Sequence, residues 1–306
     1  MRAATDTGAQ ASGAAFPESL DCGDGRQLVV VIDTLVEGVH FAAGTAPADV
    51  GFKALAVNLS DLAAMGADPR SARASVCHPR SGEGPWLDAF GEGLGAAAAR
   101  FGVHVGPVVT TRGPLCVTVE ALGSIPEGLA LTRAGAAPGD SIAVTGTLGD
   151  AGLALAGAAP AAGPDDGRWL QARLARPEPR VEAGIALRGL ASAAIDVSDG
   201  LAADLGHILG ASGVGARLDV EKLPLSRALA DAVPPERAWE LALASGDDYE
   251  LCFSVAPHRL AEAEQRLRAL PGGATVIGTV TETPGLQCLR GDGSAFQPAP
   301  GYRHFS

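Results

Sequence analysis

"AIDVSDGLAADLGHIL", residues 194–209, places Asp196, Asp199 and Asp204 within nine residues, where a short apolar run gives way to a helical pattern. Leu201, Leu205, Ile208 and Leu209 fall at i, i+4, i+7 and i+8, so a helix begins near Asp199–Gly200 and buries that stripe. Asp196 then ends the short strand containing Ile195. Strand, tight turn and helix in sixteen residues are the signature of an α/β chain. The carboxylates admit two readings. In one, Ser198 or Asp199 caps the helix and Asp204 points into water. In the other, Asp196 and Asp199 converge on one turn, where their charges repel unless a cation sits between them.

The same alternation extends outward in both directions. "QLVVVI" (27–32) is a β-branched run that delivers Asp33, followed by Glu37 and His40. Asp33 reads equally as a turn former or a site acid, and His40 as a packing or a functional histidine. Residues 49–65 form a helix opened by Asp49 as cap and closed at Gly66. On it Asn58 and Asp61 share a face, which usually means a solvated stripe. A second helix covers 85–100, and "LCVTVEALG" (115–123) alternates as a strand.

Three glycines and two prolines between Gly123 and Asp140 make that stretch loop-like, which predicts a boundary near 130 and domains 1–130 and 131–306. Beyond it come a strand at 141–145, a Gly-rich turn, a helix, a Pro/Gly insertion at 157–168 and a helix over 178–191. Strands at 216–220, 249–255 and 274–280 and a helix at 257–270 complete the chain. "TGTLGDAG" (145–152), between strand and helix, is either a plain turn or a set of N–H groups able to cradle phosphate. Asp247 and Asp248 precede a strand, as a turn and edge-strand charge device or as pocket lining.

Length supports two cores of about 150 residues each. A net charge of −12 with no basic run argues against nucleic acid as a partner. A phosphorylated substrate on so acidic a chain calls for divalent cations between ligand and carboxylates. Cys22, Cys77, Cys116, Cys252 and Cys288 contain no C-x-x-C pair, so neither a zinc knuckle nor a disulfide framework is expected, and a reducing cytoplasm fits. No run approaches the ~20 apolar residues needed to span a bilayer.

"DTLVEGVHF" (33–41), "KALAVNLSDLAAMGADP" (53–69), "LTRAGAAPGD" (131–140), the opening stretch, "SGDDYELCF" (245–253) and "GYRHF" (301–305) together resemble the thiamine-monophosphate kinase family of the aminoimidazole-ribonucleotide synthetase superfamily. The resemblance implies a homodimer of two-domain α/β subunits with mixed sheets and helices on the outer face. It also implies an ATP cleft between the domains and direct, Mg²⁺-assisted transfer of the γ-phosphoryl to thiamine monophosphate, giving thiamine diphosphate. Carried over by motif, Asp33, Asp61, Asp196 and Asp199 are metal ligands, and Asp33, Asp61 and Asp199 serve catalysis. Arg133 and Ser198 touch ATP, and His40, Asp247 and Tyr302 contact the thiamine side.

The chain departs from that family pattern in places. The family's N-terminal Asp-Asp pair is missing, with Asp6, Asp21 and Asp24 the only candidates nearby. "VIDTL" puts Val31 and Ile32 where the family has Ser and Thr, and "GPVVTTRG" puts Pro107, Val108 and Val109 where it has Gly, Gly and a metal-binding Asp. Asp247 shortens a family Glu. These changes leave open a catalytically impaired relative that binds nucleotide or thiamine phosphate as a sensor or partner subunit, or a kinase for another small phosphate acceptor.

Overall fold

The computed structural model describes residues 18–21, 24–80, 83–157, 163–299 and 301. The first half of the chain contributes β1 (Glu18–Asp21), β2 (Arg26–Val36), α1 (Pro47–Ala64), β3 (Asp68–His78), α2 (Pro85–Phe101), β4 (His104–Val105), β5 (Val109–Arg112) and β6 (Cys116–Pro126). Its strands lie in the order β1-β2-β6-β3, antiparallel, with β4 and β5 following one another along the far edge of β3 in parallel pairing. Side chains alternate between faces: Val29, Val31 and Leu35 of β2 are buried, while Ile32 and Thr34 are exposed. The predicted strand therefore continues to Val36, and its pleat puts Asp33 on the same face as Val31 and Leu35.

That face is covered by α1, which is buried on nearly every side. Two glycines permit this. A Cβ on Gly93 would lie 1.8 Å from the Ala48 carbonyl oxygen and one on Gly51 2.1 Å from that of Phe90, so the α1 and α2 backbones touch. The expected cap at Asp49 is not made: Ala46 occupies the cap position ahead of Pro47, and Asp49 instead pairs with Arg176 at 2.6 Å. Asn58 is likewise not on a solvated stripe. It is buried and donates from Nδ2 to the Ala54 carbonyl.

The second half contributes β7 (Ser141–Thr145), α3 (Asp150–Leu155), α4 (Pro164–Ala175), α5 (Val181–Leu187), β8 (Ala191–Asp196), α6 (Leu201–Ser212) and β9 (Gly215–Asp219). It continues with α7 (Arg227–Ala232), α8 (Pro235–Ala244), β10 (Leu251–Val255), α9 (Pro257–Arg268), β11 (Ala274–Thr281), β12 (Gly285–Leu289) and β13 (Ala295–Phe296). The strand order is β13-β12-β9-β11-β7-β10-β8, antiparallel except for β9 with β12. Successive residues of the central strands serve two cores: Ile142, Val144 and Cys252 meet Leu205 and Ile208 of α6, whereas Ala143 and Phe253 meet Leu187 of α5 and Leu267 of α9. Helices thus cover both faces of this sheet, and every residue of β10, Ser254 included, is buried because the strand is interior.

Several expectations change. The insertion at 157–168 ends in α4, started by Gly163 and Pro164. The helix expected over 178–191 spans only Val181–Leu187, because Gly189 turns left-handed (φ 68°) into β8. Helices α7 and α8 were not anticipated. Asp247 and Asp248 precede an interior strand, so they are not an edge-strand device. Among the described residues no helix is long and apolar enough to cross a membrane.

The two halves share α1. Its last turn packs Ala63 and Ala64 with Leu131 and Leu187, and a Cβ on Gly184 would stand 2.0 Å from the Ala63 carbonyl oxygen. Asp68 accepts from Arg26 (2.6 Å) in the first half and pairs with Arg188 (3.1 Å) in the second.

Candidate active site

The opening stretch resolves differently from either simple reading. Helix α6 begins at Leu201 behind Gly200 (φ 109°), and neither Ser198 nor Asp199 caps it with a side chain. Asp204, one turn into the helix, is buried and reaches back to accept the backbone N–H groups of Ser198 and Asp199, both at 3.0 Å. Burial, then the nearby Asp196 and Asp199, push the Asp204 carboxyl well above the ordinary range, while those two N–H bonds pull it back. Asp204 thus holds the turn, which leaves Asp196 and Asp199 to face outward from it.

They face one cavity of about 200 Å³, which is also lined by Asp33 of β2 and Asp61 of α1. Four acids from sequence positions up to 166 residues apart (199 against 33) therefore converge. Asp196 ends β8, is 5% exposed, and accepts a 2.7 Å bond from Ser60 of α1. Burial and Asp33, opposed by Ser60, raise Asp196 to about 6. Burial, then Asp196 and a side chain of Asp33 within hydrogen-bonding reach, hold Asp61 well above its usual range, with Arg133 acting in the opposite sense.

Ser198, His40 and Asp247 line the same cavity. Arg133 lies in a neighbouring cavity of about 500 Å³ that shares Asp61 and Asp196 and is otherwise walled by residues such as Met65, Leu131 and Ile195. A third cavity, of about 460 Å³, opens on the other side and shares His40 and Asp247; its wall includes Phe41, Leu174 and the exposed Val39 and Leu155. The acids thus sit between two larger, mainly apolar chambers. Tyr302 and Asp6 lie outside the described residues, as does the side chain of Asp21, and Asp24 is exposed in a bend.

Residues that the sequence reading passed over complete the arrangement. Lys53, 4% exposed, places Nζ 2.9 Å from Asp247 Oδ1 and 3.4 Å from the His40 carbonyl. It stands two helical turns before Asp61, on the same face of α1 as Val57. Tyr249 is buried and its hydroxyl donates to Asp247 at 3.0 Å; burial, then Asp247, push the phenol well above its usual range. Asp247 (φ 60°) and Tyr249 (φ 51°) are both left-handed, a cost of about 1 kcal/mol or more each that persists only in a restraining environment. The Gly-rich turn considered as a phosphate cradle is already filled: Gly149 N–H donates to both oxygens of the buried Asp248 carboxylate at 2.9 Å.

Residues 14–125 match the family AIR synthase related protein, N-terminal domain, and residues 137–289 match its C-terminal counterpart. The chain is 45% identical over 285 residues to the thiamine-monophosphate kinase of Escherichia coli strain K12, covering 92% of this chain and 87% of that one. The chain belongs to the thiamine-monophosphate kinase family. Among solved structures, the thiamine-monophosphate kinase of Stenotrophomonas maltophilia K279a superposes with a TM-score of 0.84 at 43% identity, covering 90% of this chain and 89% of that one. AaThiL complexed with AMPPCP and TMP superposes at 0.82 with 30% identity, covering 94% and 90%.

Within this thiamine-monophosphate kinase fold, the apolar departures lie away from the acid cavity. Val31 is core; Ile32 and Val109 are 50% and 64% exposed, on the sheet face opposite α1, and neither they nor Pro107 and Val108 line the cavity. The cavity's donors suit a hard cation. All four acids offer oxygen only, and burial together with nearby carboxylates, Asp196 and Asp33 for Asp61 and Asp33 for Asp196, burdens two of them, a burden that a divalent cation relieves. Among the described residues no three metal-binding side chains close on one point. Mg²⁺ does not require that, since it commonly takes one or two carboxylates and completes its octahedron with water and substrate phosphate.

Proposed function

We propose that this chain transfers the γ-phosphoryl group of ATP to thiamine monophosphate, yielding thiamine diphosphate. The observation that carries the reading is the meeting of Asp33, Asp61, Asp196 and Asp199 in one cavity between two apolar chambers. Two phosphorylated molecules can enter such a site from opposite sides and bring their phosphates together over the acids. Asp33, Asp61, Asp196 and Asp199 would hold Mg²⁺, which when bound neutralises the phosphate oxygens of both reactants.

The chain's own residues then position and discriminate. Arg133, in the chamber beyond Asp61 and Asp196, and Ser198, at the acid cavity, would contact the nucleotide. His40, Asp247 and Lys53 belong to the acceptor side, with the apolar Val39 and Leu155 against the thiamine rings. His40 Nδ1 accepts the Val36 N–H at 3.0 Å, so in the neutral ring the proton sits on Nε2. No side-chain nucleophile is needed, because the acceptor's phosphate oxygen attacks in line. We further infer two domains meeting near residue 130 and a homodimer that covers the open sheet face bearing Ile32 and Val109.

Formation of thiamine diphosphate from ATP and thiamine monophosphate, with Mg²⁺ and with EDTA, tests the reading. Product that depends on Mg²⁺ supports it. No product alongside clear nucleotide binding favours the second reading, a non-catalytic binder.

A further inference from the structure

Behind the acceptor side of the cavity lies a buried ionic cluster that the phosphoryl transfer does not use. Glu250 is fully buried and is gripped by Arg180 through Nε (2.5 Å) and Nη2 (2.6 Å), with Thr145 Oγ1 donating at 2.7 Å. Arg173 of α4, 11% exposed, enters from the other side. Its Nη2 donates to Glu250 Oε1 (3.0 Å), to the Thr147 carbonyl (3.1 Å) and to the Asp248 carbonyl (3.3 Å).

The last of these contacts separates the two arginines. Asp248 is flanked by the left-handed Asp247 and Tyr249, whose side chains line the acid cavity. Two left-handed non-glycine residues survive only where the surroundings over-determine them. Their amides are fixed from the site side, Asp247 N–H to the Ser198 carbonyl (2.9 Å) and Tyr249 N–H to the Val197 carbonyl (2.8 Å). Arg173 fixes the carbonyl between them from behind. The helix that carries it also walls the acceptor chamber with Gln171, Leu174 and Ala175. Arg180, by contrast, donates to Glu250 and to the Pro271 carbonyl and does not touch the turn.

We propose that Arg173 is a positioning residue for the acceptor: its grip on the Asp248 carbonyl locks the turn presenting Asp247 and Tyr249, and couples that turn to the α4 wall of the same chamber. The proposal rests on the kinase reading for the identity of the acceptor. Without the clamp the turn relaxes toward the β region, Asp247 leaves Lys53, and the acceptor chamber loses its shape while the nucleotide side, beyond Asp61 and Asp196, is untouched.

The test compares Arg173→Gln, Arg173→Lys and Arg180→Gln in the full chain, measuring KM for thiamine monophosphate and for ATP, melting temperature, and amide hydrogen exchange over 246–250. Arg173→Gln is expected to raise the acceptor KM about tenfold while the ATP KM stays within about twofold, with faster exchange at Asp247 and Tyr249. Arg173→Lys recovers most of both, and Arg180→Gln lowers the melting temperature without moving either. Should Arg173→Gln not fold, Arg173→Lys, which keeps a cation beside Glu250, carries the comparison at smaller amplitude. The proposal is overturned if the Arg173 and Arg180 variants behave alike, or if both KM values rise together. If the unmodified chain phosphorylates no thiamine monophosphate, the kinase reading fails, and the exchange comparison still decides whether Arg173 clamps the turn.

Discussion

Asp196→Asn should make the metal-free protein more stable while abolishing its activity. Burial and Asp33 raise the folded-state value of Asp196 to about 6 from 3.8, so the folded state binds more protons than the unfolded one between those two values. Stability contributed by this group is therefore full below 3.8 and is lost as pH rises through about 6. That interval, at 1.36 kcal/mol per pH unit, amounts to about 3 kcal/mol at pH 8. Asparagine is nearly isosteric, keeps an acceptor for Ser60 and carries no charge. Urea denaturation in EDTA at pH 8 should show the variant ahead by about 2–3 kcal/mol, shrinking to less than about 1 kcal/mol near pH 4. Added Mg²⁺ should stabilise the unmodified protein and close the gap, because the cation relieves the repulsion that the variant has already lost. A variant less stable than its parent at pH 8 without metal, or a gain independent of pH, would refute the claim that these acids are crowded into one desolvated cleft.

Lys53→Met should raise the KM for thiamine monophosphate about tenfold and leave that for ATP nearly unchanged in steady-state assays, since only the acceptor side loses the cation that holds Asp247. Gly93→Ala should cost about 3 kcal/mol, read from the urea midpoint, because its Cβ meets backbone and α1 must move, taking Lys53 and Asp61 with it. Asp68→Asn should cost about 1 kcal/mol at neutral pH. Although burial opposes it, Arg26 and Arg188 hold the Asp68 carboxyl below its ordinary value, so its contribution is present above the unfolded value and is lost as pH falls through the lowered folded one; the mutant deficit should vanish at acid pH in denaturation curves.

Much of the site was legible because the acids stand at the ends of apolar runs, where a strand or helix must release its chain to the surface. Asp33 follows "VVVI" and Asp196 follows "AI", and both reach the cavity. What could not be read depended on partners distant in sequence. Lys53 looks like an ordinary helix cation until Asp247 is brought 2.9 Å from it, and Ser60 looks incidental until it meets Asp196. The solvated stripe assigned to Asn58 and Asp61 failed because small residues let α1 sink between two sheets, which periodicity alone does not reveal. Helix α4 was hidden because glycine and proline, read as loop markers, here start a helix. One of the two readings points Asp204 into water from its place in the first helical turn, but the turn before α6 needs an acceptor for two N–H groups and Asp204 is in reach.

Asp33 and Val109, where the family carries an acid, fall on opposite faces of one sheet, and the pleat keeps the two positions apart. Asp33 shares its face with Val31 and Leu35, toward α1 and the cavity. Thr34, Thr118, Ser75 and Val109 form a row across β2, β6, β3 and β5 on the other side, with Thr34 and Thr118 hydroxyls 2.8 Å apart. A valine at 109 therefore subtracts no ligand from the four-acid cavity of its own subunit, whose electrostatics are set by Asp33, Asp61, Asp196 and Asp199. If a second copy covers the open face, as proposed, Val109 removes a charge and Ile32 adds apolar area on the very surface where two chains of net charge −12 must approach. The substitutions would then favour association while the cavity keeps its acids, and a chain that is monomeric at micromolar concentration in light scattering would contradict that half of the reasoning without touching the other.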